Sequence, residues 1–207
     1  MRGLTLLLAC LPLSAACAAP ELDALLARIA RPAPARTAFV EWRESALLAE
    51  PQRVAGELEY RGPAALSRRV DSPWRETTVV ADGQVTVERE GERSRRFALR
   101  RAPELRVLLA GFGALLGGDR AGLARDFEIA LETEGAAWRI TLVPRDAAVR
   151  KHLATLAIDG RDDTPLCFLS TEADGDRSLM RVGAAVDWDD AADSDLVARV
   201  ARCRAGD

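Results

Sequence analysis

The stretch Val79-Val80-Ala81-Asp82-Gly83-Gln84-Val85-Thr86-Val87 decides the fold class. Two runs rich in β-branched residues flank Asp82-Gly83, a pair that adopts the positive φ a tight hairpin turn requires, so the chain doubles back here into antiparallel strands. The same period of two continues on both sides. It predicts strands at 37–48, 53–60, 65–70, 76–81, 84–90 and 93–100, punctuated by Glu50-Pro51, Gly62-Pro63, Ser72-Pro73 and Glu90-Gly91. Short sequential strands joined by tight turns define an antiparallel meander.

Helical spacing interrupts this pattern in three places. Leu22, Leu25, Leu26 and Ile29 form an amphipathic stripe with acids at its start, and Pro32 and Pro34 stop it. Behind Pro103, Leu105, Leu108, Leu109, Phe112, Leu115 and Leu116 recur at helical intervals up to Gly117-Gly118. No charge occurs from Val107 to Gly118, so this second helix is apolar nearly all round and requires cover. Strands resume at 127–134, 138–143, 153–159, 166–171 and 178–182, the last two joined through Asp174-Gly175. A final helix can begin at Ser194 and sets Leu196, Val200 and Cys203 on one stripe. With no repeat or linker, residues 19–207 read as one domain.

The first residues carry Arg2, an apolar run over 4–13 and a cluster of small residues over 14–19, the layout of a secretory signal. Ala16-Cys17-Ala18 fits the cleavage rule, which makes 1–18 a signal peptide and Ala19 the first mature residue. Lipidation at Cys17 is the competing reading, although a lipobox wants Leu three residues before Cys and Leu13 is four before. No other stretch approaches the ~20 apolar residues of a membrane helix. The net charge of −3 is spread without long runs of one sign, which argues against nucleic-acid binding. Two of the four cysteines lie in the signal region, leaving Cys167 and Cys203. In an oxidising compartment such a pair reads as one disulfide, worth about 4 kcal/mol in the chain-entropy model, against the alternative of two free buried thiols.

The residues that usually carry catalysis are scarce. His152 is the single histidine, and neither a Gly-x-Ser-x-Gly elbow nor a Gly-x-x-x-x-Gly-Lys loop occurs, so the sequence predicts no enzyme and no cofactor. Gly111-Phe112-Gly113 sits inside a helical pattern instead of following a strand, and close packing or helix flexibility explains it better than a dinucleotide. The acids Asp187, Asp189, Asp190, Asp193 and Asp195 lack the Gly and terminal Glu of a calcium loop and read as a solvated loop capping the last helix. What remains is apolar. Alternation sets Leu58 and Tyr60, Val85 and Val87, Phe97 and Leu99, Phe127, Ile129 and Leu131, and Trp138, Ile140 and Leu142 on one face of their strands. Core packing against helices and an enclosed ligand cavity both account for such a face.

The order of elements adds a further reading. An export signal and amphipathic helix precede Phe39-x-Glu41, Gly56-x-Leu58, Pro63, and Pro73-x-x-Glu76 leading into Val79-Val80-Ala81-Asp82-Gly83. This resembles the LolA-like outer-membrane lipoprotein carriers, and a divergent branch is similar in pairing Phe39-x-Glu41-x-Arg43 with Leu115-Leu116-Gly117-Gly118-Asp119. The resemblance implies an α+β fold, an incomplete antiparallel β-barrel whose curved meander sheet has helices over its concave face. It implies a monomeric periplasmic carrier of lipoprotein acyl chains or related lipids, loaded by an inner-membrane exporter and unloaded by an outer-membrane receptor. Carried onto this sequence, the acyl-binding cavity and lid comprise Leu58, Tyr60, Val87, Phe97, Leu105, Leu108, Leu109, Phe112, Leu115, Leu116, Phe127, Ile129, Trp138 and Ile140. Glu41 stands where the family has Gln, and Gln84 where it has Lys. The family's lid-bonding Arg precedes the Pro directly; here Gly62 does, and Arg61, one residue earlier, belongs on the opposite strand face. A receptor-like protein, a carrier of another lipid or polyene, and a structural envelope adaptor are the other roles this architecture could serve.

Overall fold

A computed structural model describes residues 18–62, 65–189 and 195–206. Helix α1 spans Ala18–Ile29 and leads into β1 (Ala35–Glu44), β2 (Gln52–Gly62), β3 (Ala65–Ser72), β4 (Glu76–Ala81), β5 (Gln84–Arg89) and β6 (Arg95–Ala98). A 3-10 turn, Leu99–Arg101, then opens into α2 (Pro103–Leu116) and α3 (Arg120–Asp126). The second half holds β7 (Phe127–Glu134), β8 (Ala137–Pro144), α4 (Ala147–Arg150), β9 (Leu153–Arg161), β10 (Thr164–Glu172), β11 (Arg177–Val182), a second 3-10 turn (Gly183–Asp187) and α5 (Leu196–Ala205).

All eleven strands form one antiparallel sheet in the order β6-β5-β4-β3-β2-β1-β11-β10-β9-β8-β7. The sheet is curved and unclosed: two hairpin meanders are joined at its middle, where β1 pairs with β11 from Phe39 opposite Val182 to Glu44 opposite Arg177. The last strand of the first meander and the first strand of the second therefore lie at opposite edges. The chain crosses between them through α2 and α3, which is what lays an apolar helix over one face of the sheet. Asp82 and Gly83 have φ of 51° and 68°, the left-handed pair expected of that turn.

Several element ends differ from expectation for local reasons. β1 stops at Glu44, short of residue 48, because Ser45 takes the chain off the sheet: its Oγ accepts from the Leu47 amide at 3.2 Å and its carbonyl accepts from Leu48 at 3.0 Å. Leu47 is consequently 95% exposed. β6 is only four residues long, and Leu99 turns off it, its amide donating to the Gly83 carbonyl at 2.8 Å as the chain climbs toward α2. Helix α3, unforeseen in the sequence, is capped by Asp119, whose Oδ1 accepts from the Gly122 amide at 2.9 Å. Ser194, the expected start of the last helix, lies outside the described residues, as do Asp190 and Asp193; Asp195 caps α5 by accepting from the Ala198 amide.

The sheet is apolar on both faces at its centre, not on one face only. Phe39 faces the concave side while Val40 and Trp42 face the convex side, where they pack with Leu166, Leu179, Ala185 and Leu196. Arg181 is fully buried there between the rings of Trp42 (4.9 Å) and Trp188 (5.1 Å). The Cys167–Cys203 disulfide ties α5 to β10 in the same layer. No helix among the described residues is long and apolar enough to cross a membrane.

Candidate functional site

The concave face is assembled from alternate residues of successive strands. Register places Leu58 opposite Arg68, Val87 opposite Thr78, Phe97 opposite Val85, Leu131 opposite Ile140 and Ile129 opposite Leu142, so the period of two read in each strand becomes one continuous surface. Helices α1 and α2 cover it. Leu22, Leu25, Leu26 and Ile29 of α1 and Val107, Ala114 and Leu115 of α2 join Phe39, Phe127, Trp138, Ile140, Leu142, Leu156, Ile158 and Phe168 in one cluster.

The residues expected to line a cavity divide by depth. Leu115, Phe127 and Ile140 have no exposed surface, and Leu109 and Trp138 are almost as deep. Leu115, Phe127, Trp138 and Ile140 belong to the buried cluster itself. Leu58, Phe112 and Ile129 are half-buried against the same cluster, and the Phe112 ring meets Phe168 at 5.0 Å. Val87, Phe97 and Leu105 belong to a separate group toward the β6 edge, with Leu109, Val80 and Val85. Leu116 is half-buried at the end of α2, and Tyr60 is buried near the end of β2 opposite Ala35 and Leu66. The Leu108 side chain lies outside the described residues. The expected set is thus one face of the sheet with its helical cover, in a packed state.

Gly111 of α2 serves close approach. A Cβ on Gly111 would lie 2.9 Å from the Phe127 ring, so glycine lets the helix sit directly on β7. At its other end α2 is held just past α1, where the Arg31 amide donates to the Leu116 carbonyl at 2.8 Å, and α3 is tied to α1 by the pair of Arg120 with Asp23. Gly56, in the motif of β2, has no room for a side chain either, since its Cβ would lie 1.8 Å from the Arg69 carbonyl oxygen.

A polar cluster, missed in the sequence reading, interrupts the apolar face on β1. Glu41 is 5% exposed; Arg43 Nε donates to its Oε1 at 2.9 Å, Arg68 Nη2 to its Oε2 at 2.5 Å, and the Ser178 hydroxyl to Oε1. Arg68 also stacks over the Phe39 ring at 4.7 Å. Burial pushes the Glu41 carboxyl up, but the Arg43 hydrogen bond, the charges of Arg43 and Arg68 and the Ser178 bond outweigh it and hold the group below the usual carboxylate range. The signal was available, because Glu41 and Arg43 share the alternation of Phe39. Arg61, by contrast, points away from this face and pairs with Glu59, as its position in the alternation requires.

Clefts also lie away from this face. One of about 560 Å³ is lined by Glu132, Arg139, Asp159, Arg161 and Arg204 near the end of α5; another of about 340 Å³ is lined by Arg69, Arg75, Glu76, Glu88 and Arg89. No group of carboxylates, thiols and imidazole suited to hold a metal ion occurs among the described residues. His152 is exposed.

The architecture is a curved, unclosed antiparallel sheet whose concave face is covered by helices. The chain belongs to the family of outer membrane lipoprotein carrier protein LolA-like proteins, whose model matches residues 14–205. Among solved structures it is similar to a LolA superfamily protein from Nitrosomonas europaea, at 11% identity over 86% of this chain and 97% of that one, with a TM-score of 0.45. It is also similar to MucB (17% identity, 88% and 64% of the two chains, TM-score 0.43) and to LprF from Mycobacterium bovis (13%, 83% and 95%, TM-score 0.35). No curated protein matches the sequence.

Proposed function

We propose that the protein is a periplasmic carrier, freed of residues 1–18 by signal cleavage, that takes acyl chains of lipoproteins or related lipids onto its concave face and moves them from inner to outer membrane. One observation carries the reading: outside the cluster around Glu41, the concave face of an unclosed sheet is apolar toward both edges, and its cover is a helix without a charge between Val107 and Gly118. α2 is apolar nearly all round because α1, α3 and α4 pack on it as well as the sheet, yet Phe112 on the helix and Leu58 and Ile129 on the strands stay half-buried. Movement of α2 about its C-terminal anchor just past α1 would expose Leu58, Val87, Phe97, Phe112 and Ile129 to a ligand. Each methylene taken from water contributes about 0.8 kcal/mol, so a few acyl chains bind tightly without covalent chemistry.

With no nucleotide-binding loop in the sequence, transfer draws on differential affinity: an inner-membrane exporter loads the carrier and an outer-membrane receptor of higher affinity unloads it. The test is native mass spectrometry of protein taken from its own periplasm, followed by lipid identification, with delipidated protein titrated by a fluorescent fatty-acyl probe while tryptophan emission is compared between the parent and Trp138→Phe. Acyl-bearing cargo and saturable probe binding are expected. Protein that carries no lipid and leaves the probe unbound overturns the reading in favour of a structural adaptor.

A further inference from the structure

The open edge at β6 carries a concentration of charge at odds with the acidic chain. From residue 93 to residue 106 there are six arginines, Arg93, Arg95, Arg96, Arg100, Arg101 and Arg106, against the single acid Glu104, in a protein whose net charge is −3. All six are exposed. Ion pairing at this edge ends with Arg89 and Glu92 at 3.5 Å; none of the six pairs with a carboxylate among the described residues. Arginines elsewhere on the surface, such as Arg36, Arg61 and Arg177, do have acid partners. β6 pairs only with β5, so its outer side is open, and the chain runs from it through the 3-10 turn straight into α2.

We infer that this edge docks on the surface of an anionic phospholipid bilayer. Unrelieved like charge costs self-repulsion in the free protein, and an array of phosphates removes that cost while meeting the bidentate donors of guanidinium. From Arg93 to Arg106 the patch offers one acid, Glu104, too few to set the register of a protein partner, whereas a lipid surface presents a delocalised negative field that requires none. Phe97, Leu99 and Leu105 lie half-buried beside the arginines and form the rim of the apolar face where α2 begins. Docking here would set the entrance of the lid against the bilayer. That consequence rests on the carrier reading; the docking itself does not.

The mature protein is tested by flotation with phosphatidylcholine vesicles, with and without phosphatidylglycerol, at low and high salt. Binding is expected only with phosphatidylglycerol and is expected to weaken with salt. The pairs Arg95→Gln/Arg96→Gln and Arg100→Gln/Arg101→Gln should each lower partitioning about 25-fold, from roughly fivefold per arginine, with thermal midpoint and acyl-probe affinity in solution unchanged. Absence of binding to the anionic vesicles, equal binding to both vesicles, or variants that bind like the parent overturns the inference. The first of these outcomes reduces the arginines to guards against edge-to-edge association, or to the contact of an acidic protein. If the parent binds vesicles but takes up no acyl probe, the carrier reading fails and the docking stands.

Discussion

Glu41 gives the most stringent test of how the concave face is held. Replacing it with Gln keeps the shape of the side chain but removes the charge that Arg43 and Arg68 share. Breaking a buried ion pair by neutralising one partner costs about 3–5 kcal/mol when the other partner is fully buried. Here the Arg68 side chain is 19% exposed and that of Arg43 is 43% exposed, so water recovers part of the loss. The expected destabilisation at neutral pH is about 2 kcal/mol for Glu41→Gln and about 3 kcal/mol for Glu41→Ala, which also loses the hydrogen bonds. The sign of the pH dependence follows from the lowered pKa. The group's stabilisation is complete above its unfolded value of 4.5 and is lost as pH falls through its lower folded value. Urea unfolding of parent and Gln variant, followed by tryptophan fluorescence, should therefore show a gap at pH 7 that narrows as pH is taken below 4. Glu172, whose carboxyl is raised by burial and by Asp174 and Asp176, changes stability in the opposite sense in both proteins. A gap of the same size at both pH values, or a Gln variant more stable at pH 7, would refute the electrostatic account.

Other substitutions separate lid from core. Phe112→Asp, on a half-buried residue, should abolish acyl-probe binding while leaving a cooperative unfolding transition, whereas Leu115→Asp should destabilise by more than ~3 kcal/mol and lose the fold, as seen by circular dichroism. If Phe112→Asp binds probe like the parent, or unfolds like Leu115→Asp, α2 is not a lid. Cys203→Ser opens a link spanning 36 residues and should lower stability by about 4 kcal/mol in denaturant titrations; a loss below ~1 kcal/mol would mean that the reduced chain keeps α5 in place. Gly56→Ala sets a methyl group against the Arg69 carbonyl and should cost about 3 kcal/mol, read as a lowered thermal midpoint.

Much of this architecture was legible because it is local. Hairpins with Asp-Gly or proline turns, the period of two on each strand, and the helix bounded by Pro103 and Gly117-Gly118 all follow from neighbouring residues. α3 was not, since Leu123 is its one large buried residue and a single apolar position has no period. The pairing of β1 with β11 was not legible either, because nothing near Phe39 or Val182 marks a partner so far away. That pairing decides which faces meet, so the second apolar layer under α5 and the burial of Arg181 were lost with it. The cavity residues were found as a face, but whether such a face is filled or open depends on the position of α2, which periodicity does not encode.

The β1–β11 seam also sets a timetable for folding. Each half of the sheet closes by hairpins as soon as its own strands exist, but β1 offers Val40 and Trp42 on an unpaired edge until β11, near the end of the chain, arrives. The emerging chain therefore keeps a sticky strand uncovered until β11 is present. Completion awaits a closure over more than a hundred residues, the slowest kind of contact for a chain to find. A protein built this way depends on being kept apart from its own copies until its C-terminal strand has been delivered.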